Sequence, residues 1–324
     1  MTSTAPAPAP ELPSLDGGSG RRADRAFYAL TGAAGIAMVA LIVAIGVFLV
    51  IQAVPALRAN TTSFLTTKQF LPEADVPSFG IAVLAFGTVL TSAIAMVLAV
   101  PVALGVAIFV TQYAPRRLAG LFGGLVDLLA AVPSVVYGLW GLAFLNRHLQ
   151  PANEALHGSL GWFPLFGDTG GRYSKSILLA GLVLAIMVLP IIAALTREVL
   201  LQQPSTLTEA ALALGATRWE AIRTAVLPAS RPGIVSAIML GLGRALGETI
   251  AVALVLGTSP ALTARILGPG GNTIAANIAA KFGEYGDAGR GALIASGLVL
   301  FVMTFVVNAV ARGIVIRSAR KRLS

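Results

Sequence analysis

Six stretches of this 324-residue chain stay apolar for long enough to cross a bilayer. A helix needs about 20 predominantly apolar residues to span the hydrocarbon, and the runs at 27–54, 81–110, 118–145, 177–195, 233–256 and 292–311 qualify. A helix satisfies its backbone hydrogen bonds within one segment, as hydrocarbon demands. The pattern therefore predicts an all-α, polytopic membrane protein with six transmembrane helices. Composition agrees, with 56% hydrophobic and only 11% charged residues, against about 25% charged in an average soluble domain. The first run is too long for the apolar region of a signal peptide and lacks a small-residue cleavage site, so it is expected to remain as a span. Cysteine is absent, which excludes thiol catalysis, thiolate metal sites and disulfides.

The net charge of +9 and pI near 10.6 would suit a nucleic-acid partner if the charge were clustered, but it alternates with topology. Most Lys and Arg, including Arg21, Arg22, Arg25, Arg116, Arg117, Arg218, Arg223 and Arg320, fall on the side that holds both termini. By the positive-inside rule that side is cytoplasmic, and no nucleic-acid partner is expected. Residues 1–20 are rich in Pro, Ala, Ser and Gly and are expected to form a disordered tail. Residues 21–79 hold the first span and an extracytoplasmic loop, 80–312 the main body of spans, and 313–324 a basic tail. The loops 56–79, 146–175 and 257–291 carry Gly, Pro and Asn punctuation and could dock a partner. Proline recurs near the spans at Pro101, Pro133 and Pro190, where membrane helices tolerate kinks.

The longest cytoplasmic loop, about 204–230, reads "QQPSTLTEAALALGATRWEAIRTAVLPASRPG" around its centre. Thr206 and Glu209 have capping-box spacing, strong helix formers follow, and Gly215 is a natural stop. Thr217 and Glu220 repeat the spacing, predicting a second short helix that ends before Pro228. Two short helices bent at Gly215 suit insertion into a groove of another protein, with Arg218, Trp219 and Arg223 as a rim, or an amphipathic hairpin on the lipid surface. Glu209, Ala210, Ala211 and Gly215, followed by Leu227 and Pro228, resemble the EAA loop of the permease subunits of ATP-binding cassette (ABC) importers. The resemblance implies a type I ABC importer permease fold and a coupling helix seated in a cleft of an ATPase subunit. Ala225 departs from the family pattern, which has isoleucine there.

The fifth run contains "LGRALGETIAV", residues 242–252. Arg244 falls near mid-membrane, where an arginine costs roughly 2.5–3.5 kcal/mol on insertion scales. On a continuous helix Glu248 would lie on the same face, about 6 Å further along the axis. Such a pair is either a structural ion pair or one wall of a pathway. Arg before Glu is the weaker i, i+4 order, and Gly241, Gly243 and Gly247 leave a flat surface that another backbone can approach. A guanidinium cannot lose its charge and presents a fork of donors matched to an oxyanion.

Together with "FGTVLTSAIAMVLAVPVALGVAIFV" (86–110) and "LLAAVPSVVYGLWGL" (128–142), this stretch resembles the PstC-type permease subunits of high-affinity inorganic phosphate importers over about residues 80–312. The resemblance places Arg244 and Glu248 in the substrate pathway. Ser134 and Tyr137 are further candidates, because hydroxyls in a dry span need partners and can donate to an oxyanion, although helix-to-helix hydrogen bonds would serve them as well. The implied partners are a homologous second permease, two ATPase subunits, an extracytoplasmic phosphate-binding protein and inorganic phosphate, in the lipid bilayer of the cytoplasmic membrane.

No G-x-x-x-x-G-K-[ST] loop occurs, so the chain is not expected to be the ATPase; the resemblance implies a transport subunit rather than an enzyme, with ATP and Mg on the partner. His148 and His157 are too sparse for a metal cluster, and Asp127 has no partner evident in the sequence. An ion-driven secondary transporter would show inverted repeats and broken half-helices. An enzyme acting on phosphorylated lipid would need a base or metal set beside Arg244. Sulfate and molybdate are the nearest alternative cargoes.

Overall fold

The computed structural model describes residues 18–167, 173–256 and 265–320, and within them the side chains other than those of 18–23, 116 and 314–320. The proline-rich stretch 1–17 and residues 321–324 lie outside the described residues.

In chain order the helices are α1 (Gly18–Ala59), α2 (Ala82–Ile108), α3 (Arg116–Ala130), α4 (Ser134–Trp140), α5 (Asn146–His148), α6 (Gln150–Leu160), α7 (Ile177–Leu201), α8 (Ser205–Ala213), α9 (Arg218–Ala221), α10 (Leu227–Leu246), α11 (Ile250–Val255), α12 (Ile274–Lys281) and α13 (Asp287–Arg320). A two-residue hairpin, β1 (Phe70–Leu71) with β2 (Ser78–Phe79), pairs Phe70 with Phe79. Among the described residues five helices are long and apolar enough to cross a membrane, and a sixth span forms if the bent pair α3–α4 counts as one. Pro101 and Pro190 stay inside continuous helices.

Two compact units divide the chain. The first, up to Phe48, comprises most of α1, whose described side chains there are exposed and apolar along nearly their whole length. A helix apolar all round has no aqueous face and belongs in lipid.

The second unit, from Leu49 onward, holds the core. Ala95, Ala99, Ala103 and Ala107 repeat every fourth residue on α2 and are at most 1% exposed. A stripe of methyls lets helix backbones approach closely, and α2 lies along α7, where a Cβ on Gly181 would come 2.5 Å from Ile94 Cγ2. On α10, a Cβ at Gly241 would meet Ile192 Cγ1 of α7 at 2.6 Å. Span α7 is the most buried, flanked by α2, α3 and α10.

Two predicted spans are broken. The third, expected to run continuously over 118–145, is α3 followed by α4 with an 87° bend. Pro133 is the N-cap of α4 and lacks the N–H that would carry a helix through. The Tyr137 hydroxyl donates across the break to the Leu129 carbonyl at 2.8 Å, a carbonyl to which Pro133, four residues on, has no N–H to offer. The fifth span, expected over 233–256, stops at Leu246 and resumes at Ile250. Gly247 weakens helix continuation, and the Glu248 carboxylate accepts the Ala251 N–H at 3.2 Å, serving one of the orphan donors that begin α11.

The loops at the far end from α8 and α9 knit together. The Ile266 N–H donates to the Leu165 carbonyl, and the Leu178 N–H to the Ile266 carbonyl, both at 2.9 Å. The Ile274 N–H donates to Thr88 Oγ1 at 3.0 Å, and the Gly286 N–H to Glu73 Oε1 at 2.6 Å. The stretches expected to be loops thus form one cap containing α6, α12 and the hairpin.

Candidate functional site

The span breaks lie side by side. A Cβ at Gly138 of α4 would fall 2.8 Å from Ala251 Cα, and one at Gly141 would meet Val255 Cγ1 at 3.2 Å. The matched spacing shows α4 and α11 running parallel. Ser134, four residues before Gly138, and Glu248, three before Ala251, therefore sit at similar levels. Sequence reading found these residues but missed that each marks a helix start. The signal was Pro133, and the glycine cluster ending in Gly247.

Arg244 faces elsewhere. It is exposed on α10, in a groove of about 1170 Å³ bounded by α7, α10 and α13, with Ser236, Asn308 and Arg312 as the other polar lining side chains. It makes no hydrogen bond or ion pair among the described residues. The face that Arg244 was expected to share with Glu248 does not form, and of the two readings of the pair the structural ion pair is absent among the described residues. The ion pairs among the described residues are Asp127–Arg197, Lys281–Glu284 and Arg290–Asp287. Glu248 is 8% exposed and turned inward because the helix stops between the two residues, so the i, i+4 relation does not apply. Gly241 supports close packing as expected, but a Cβ on Gly243 would meet nothing within 4 Å, and this residue opens onto the groove. Tyr137 is half-buried with its proton committed to Leu129, leaving it an acceptor. Ser134 is half-buried at the first position of α4. Asn308 went unread, although a lone amide inside the apolar run "FVVNAVA" was a legible signal, and Arg312 was read only as one of the cytoplasmic-side charges.

Asp127 has a partner after all. Its carboxylate takes Arg197 Nη2 at 3.0 and 3.3 Å, tying α3 to α7. Gly123 makes room for it, since a Cβ there would strike Arg197 Nη1. The two histidines share hydrogen bonds with carbonyls of their own loop, His148 with Phe144 and His157 with Phe166, each at 2.8 Å.

At the opposite end from the cap, α8 ends at Gly215 with φ +86°. The Ala216 N–H bonds the Ala211 carbonyl and the Gly215 N–H the Leu212 carbonyl, the paired closure that a left-handed residue allows. Glu209, Ala210 and Gly215 are exposed, and Ala211, Leu227 and Pro228 half-buried. Leu227 packs on Ala107, Leu200 and Val226. Leu214 is 90% and Trp219 52% exposed, an apolar surface at the turn. The expected box at Thr206–Glu209 does not form, because Pro204 occupies the N-cap and helix starts at Ser205. The box at Thr217–Glu220 does form, with the Thr217 N–H on Glu220 Oε2 at 2.7 Å and the Glu220 N–H on Thr217 Oγ1 at 3.3 Å. The second helix does not end before Pro228. It continues through a π-helical turn, Ile222–Val226, into α10, since a proline in the first turn has no helical N–H to lose.

Five long spans with a bent sixth and a glycine-closed helical turn at one end define a permease-type fold, that of type I ABC importers. Two solved structures share it: the MetNI methionine ABC transporter in an inward-facing conformation, with TM-score 0.52 and 17% identity over 73% of this chain and 96% of that one, and a bacterial ABC transporter involved in the import of alginate, with TM-score 0.51 and 15% identity over 72% and 78%. Residues 99–320 match the family described as binding-protein-dependent transport system inner membrane component. Phosphate transport system permease protein PstC 2 of Mycobacterium tuberculosis is 47% identical over 96% of this chain and 97% of its own length. The PstC permease of Mesorhizobium japonicum is 41% identical over 91% and 90%. The chain belongs to the PstC permease family.

Proposed function

We propose that the chain is the membrane permease subunit of an ATP-driven importer of inorganic phosphate, with both termini in the cytoplasm. The observation that carries this reading is the near full-length identity of 47% to a protein named as a phosphate transport permease. Its partners are a homologous second permease, two ATPase subunits that bind ATP and Mg, and an extracytoplasmic phosphate-binding protein. No bond of phosphate is made or broken here. The turn at Glu209–Gly215 receives the motion of the closing ATPases and passes it through α9 and the π-helical turn into α10, a rigid-body switch of access.

Arg244 supplies the charge that draws the oxyanion into the membrane, and the lack of a carboxylate partner for it among the described residues supports that role. Glu248, Ser134 and Tyr137 stand at the two span breaks, where irregular backbone is tolerated only if it is buried or lines a cavity. Broken spans were the expected mark of a secondary transporter. Here they accompany an ABC permease fold, so they do not favour that rival. The decisive experiment is phosphate uptake into proteoliposomes containing the assembled complex, with ATP present or absent. Accumulation independent of ATP, or uptake of sulfate in preference to phosphate, would overturn the proposal.

A further inference from the structure

A second cleft, of about 280 Å³, lies in the cap between the hairpin, the first turn of α2 and α12. Its polar lining is Lys68, Gln69, Asn272, Asn277, Lys281 and Tyr285, none of which lines the Arg244 groove. The floor is rigidly placed. A Cβ on Gly87 would collide with the Asn272 carbonyl, and Gly271 turns the chain with φ +81°.

That rigidity orients two amides. Asn272 Oδ1 accepts the Thr273 N–H at 2.8 Å, so Asn272 Nδ2 is the atom that donates, at 3.1 Å, to Asn277 Oδ1. The NH₂ group of Asn277 is thereby left buried without a partner, on a residue only 7% exposed. A buried donor without an acceptor is a standing cost that a ligand can remove. The surrounding donors also suit an anion, with the Glu73 and Glu284 carboxylates as the opposing charges nearby. The Glu284 carboxylate, hydrogen-bonded to Lys281, holds that ammonium above the usual lysine range, so it stays charged. Burial pushes the Tyr285 phenol up, so it keeps its proton and can donate. A water would satisfy the amide but leave the Lys68 ammonium, which has no ion pair among the described residues, without an anion.

We propose that this cleft is a second oxyanion site, holding inorganic phosphate through Asn277 Nδ2, Lys68 and Lys281 before the ion reaches Arg244. The order of the two sites rests on the transport reading above, in which phosphate arrives at the cap. A phospholipid headgroup carries the same chemistry, and the test separates the two.

The probe is the ³¹P line width of inorganic phosphate, measured with the assembled, nucleotide-free complex in lipid-free detergent. Wild type should broaden the line, and Arg244→Leu should retain the cleft's share. Lys68→Gln should weaken that share about tenfold, the worth of one charge-assisted hydrogen bond. Asn277→Asp should do the same, since it keeps the oxygen that takes the Asn272 hydrogen bond and replaces the donor. If Asn277→Asp fails to assemble, Lys68→Gln on its exposed side chain decides alone. Broadening unchanged in the cleft variants, or absent from wild type, overturns the site. An effect seen with short-chain phosphatidylglycerol and not with phosphate overturns phosphate as the occupant. Uptake by wild-type proteoliposomes tests transport separately, so a complex that imports phosphate with an empty cleft rejects only the cleft.

Discussion

Arg244 is a guanidinium in an apolar groove with no carboxylate to neutralise it among its described lining residues. Its cost in the membrane is offset if an anion passes, and the fork geometry matters because one lysine cannot present two parallel donors. Arg244→Lys is therefore expected to lower phosphate uptake about tenfold, the worth of one lost charge-assisted hydrogen bond, in a complex that still assembles. Full transport by Arg244→Leu would show the charge to be structural. Glu248 poses a different question, because one oxygen already caps α11. Glutamine keeps that oxygen and removes the charge. Phosphate near neutral pH carries a proton that sulfate lacks, so a carboxylate acceptor favours phosphate. Glu248→Gln should lose phosphate-over-sulfate discrimination without losing thermal stability. Sulfate competition and a melting curve on the same preparation distinguish this from a purely structural role, which predicts lower stability and unchanged selectivity.

At the scale of elements, two glycines carry different burdens. Gly215 has open space around it and a φ of +86°, so backbone conformation, not crowding, restricts what can replace it. A β-branched residue there costs about 1–2 kcal/mol, whereas asparagine tolerates the left-handed region. Gly215→Val should reduce assembly with the ATPase or uncouple hydrolysis from uptake, and Gly215→Asn should restore most of both. Equal behaviour of the two variants would rule out the bend as the critical feature. Gly138 is the reverse case, with ordinary backbone and no room beside Ala251. Gly138→Val should cost about 1–3 kcal/mol by overpacking and shift α4 from α11, displacing Ser134 relative to Glu248. Loss of uptake together with a lower melting temperature checks it.

The second unit has one end that is closed and one that is prepared for a partner. The cap is tied by backbone hydrogen bonds between distant loops, whereas the Leu214–Trp219 turn leaves Leu214 almost fully exposed and Trp219 half exposed. Local opening is easiest where few buried contacts must break. Amide hydrogen exchange on the isolated permease in detergent should therefore be slow at Leu178, Ile266 and Ile274 and fast at 214–219. Adding the ATPase subunits should slow exchange in 214–219 and leave the cap unchanged. Protection spread evenly over both ends would contradict the coupling assignment.

Hydropathy alone determined that the chain is helical and crosses a membrane, because about 20 apolar residues have few other stable places to be. Local chemistry also made the Gly215 bend and the Thr217–Glu220 box legible, since both depend on residues within a few positions of one another. What periodicity could not show was where a span stops. Pro133 and Gly247 permit a break without requiring one, and α4 packing on α11 through Gly138 realises it, with Tyr137 and Glu248 serving the backbone groups that the breaks release. The tertiary structure likewise decided that Arg244 faces a groove while Glu248 turns inward, that Arg197 answers Asp127 across seventy residues of sequence, and that two asparagines meet so as to leave one buried donor free. The Asp127–Arg197 pair joins helices distant in the chain, about whose separation sequence spacing carries no information, and the asparagines, five residues apart, meet through a turn that their spacing does not specify.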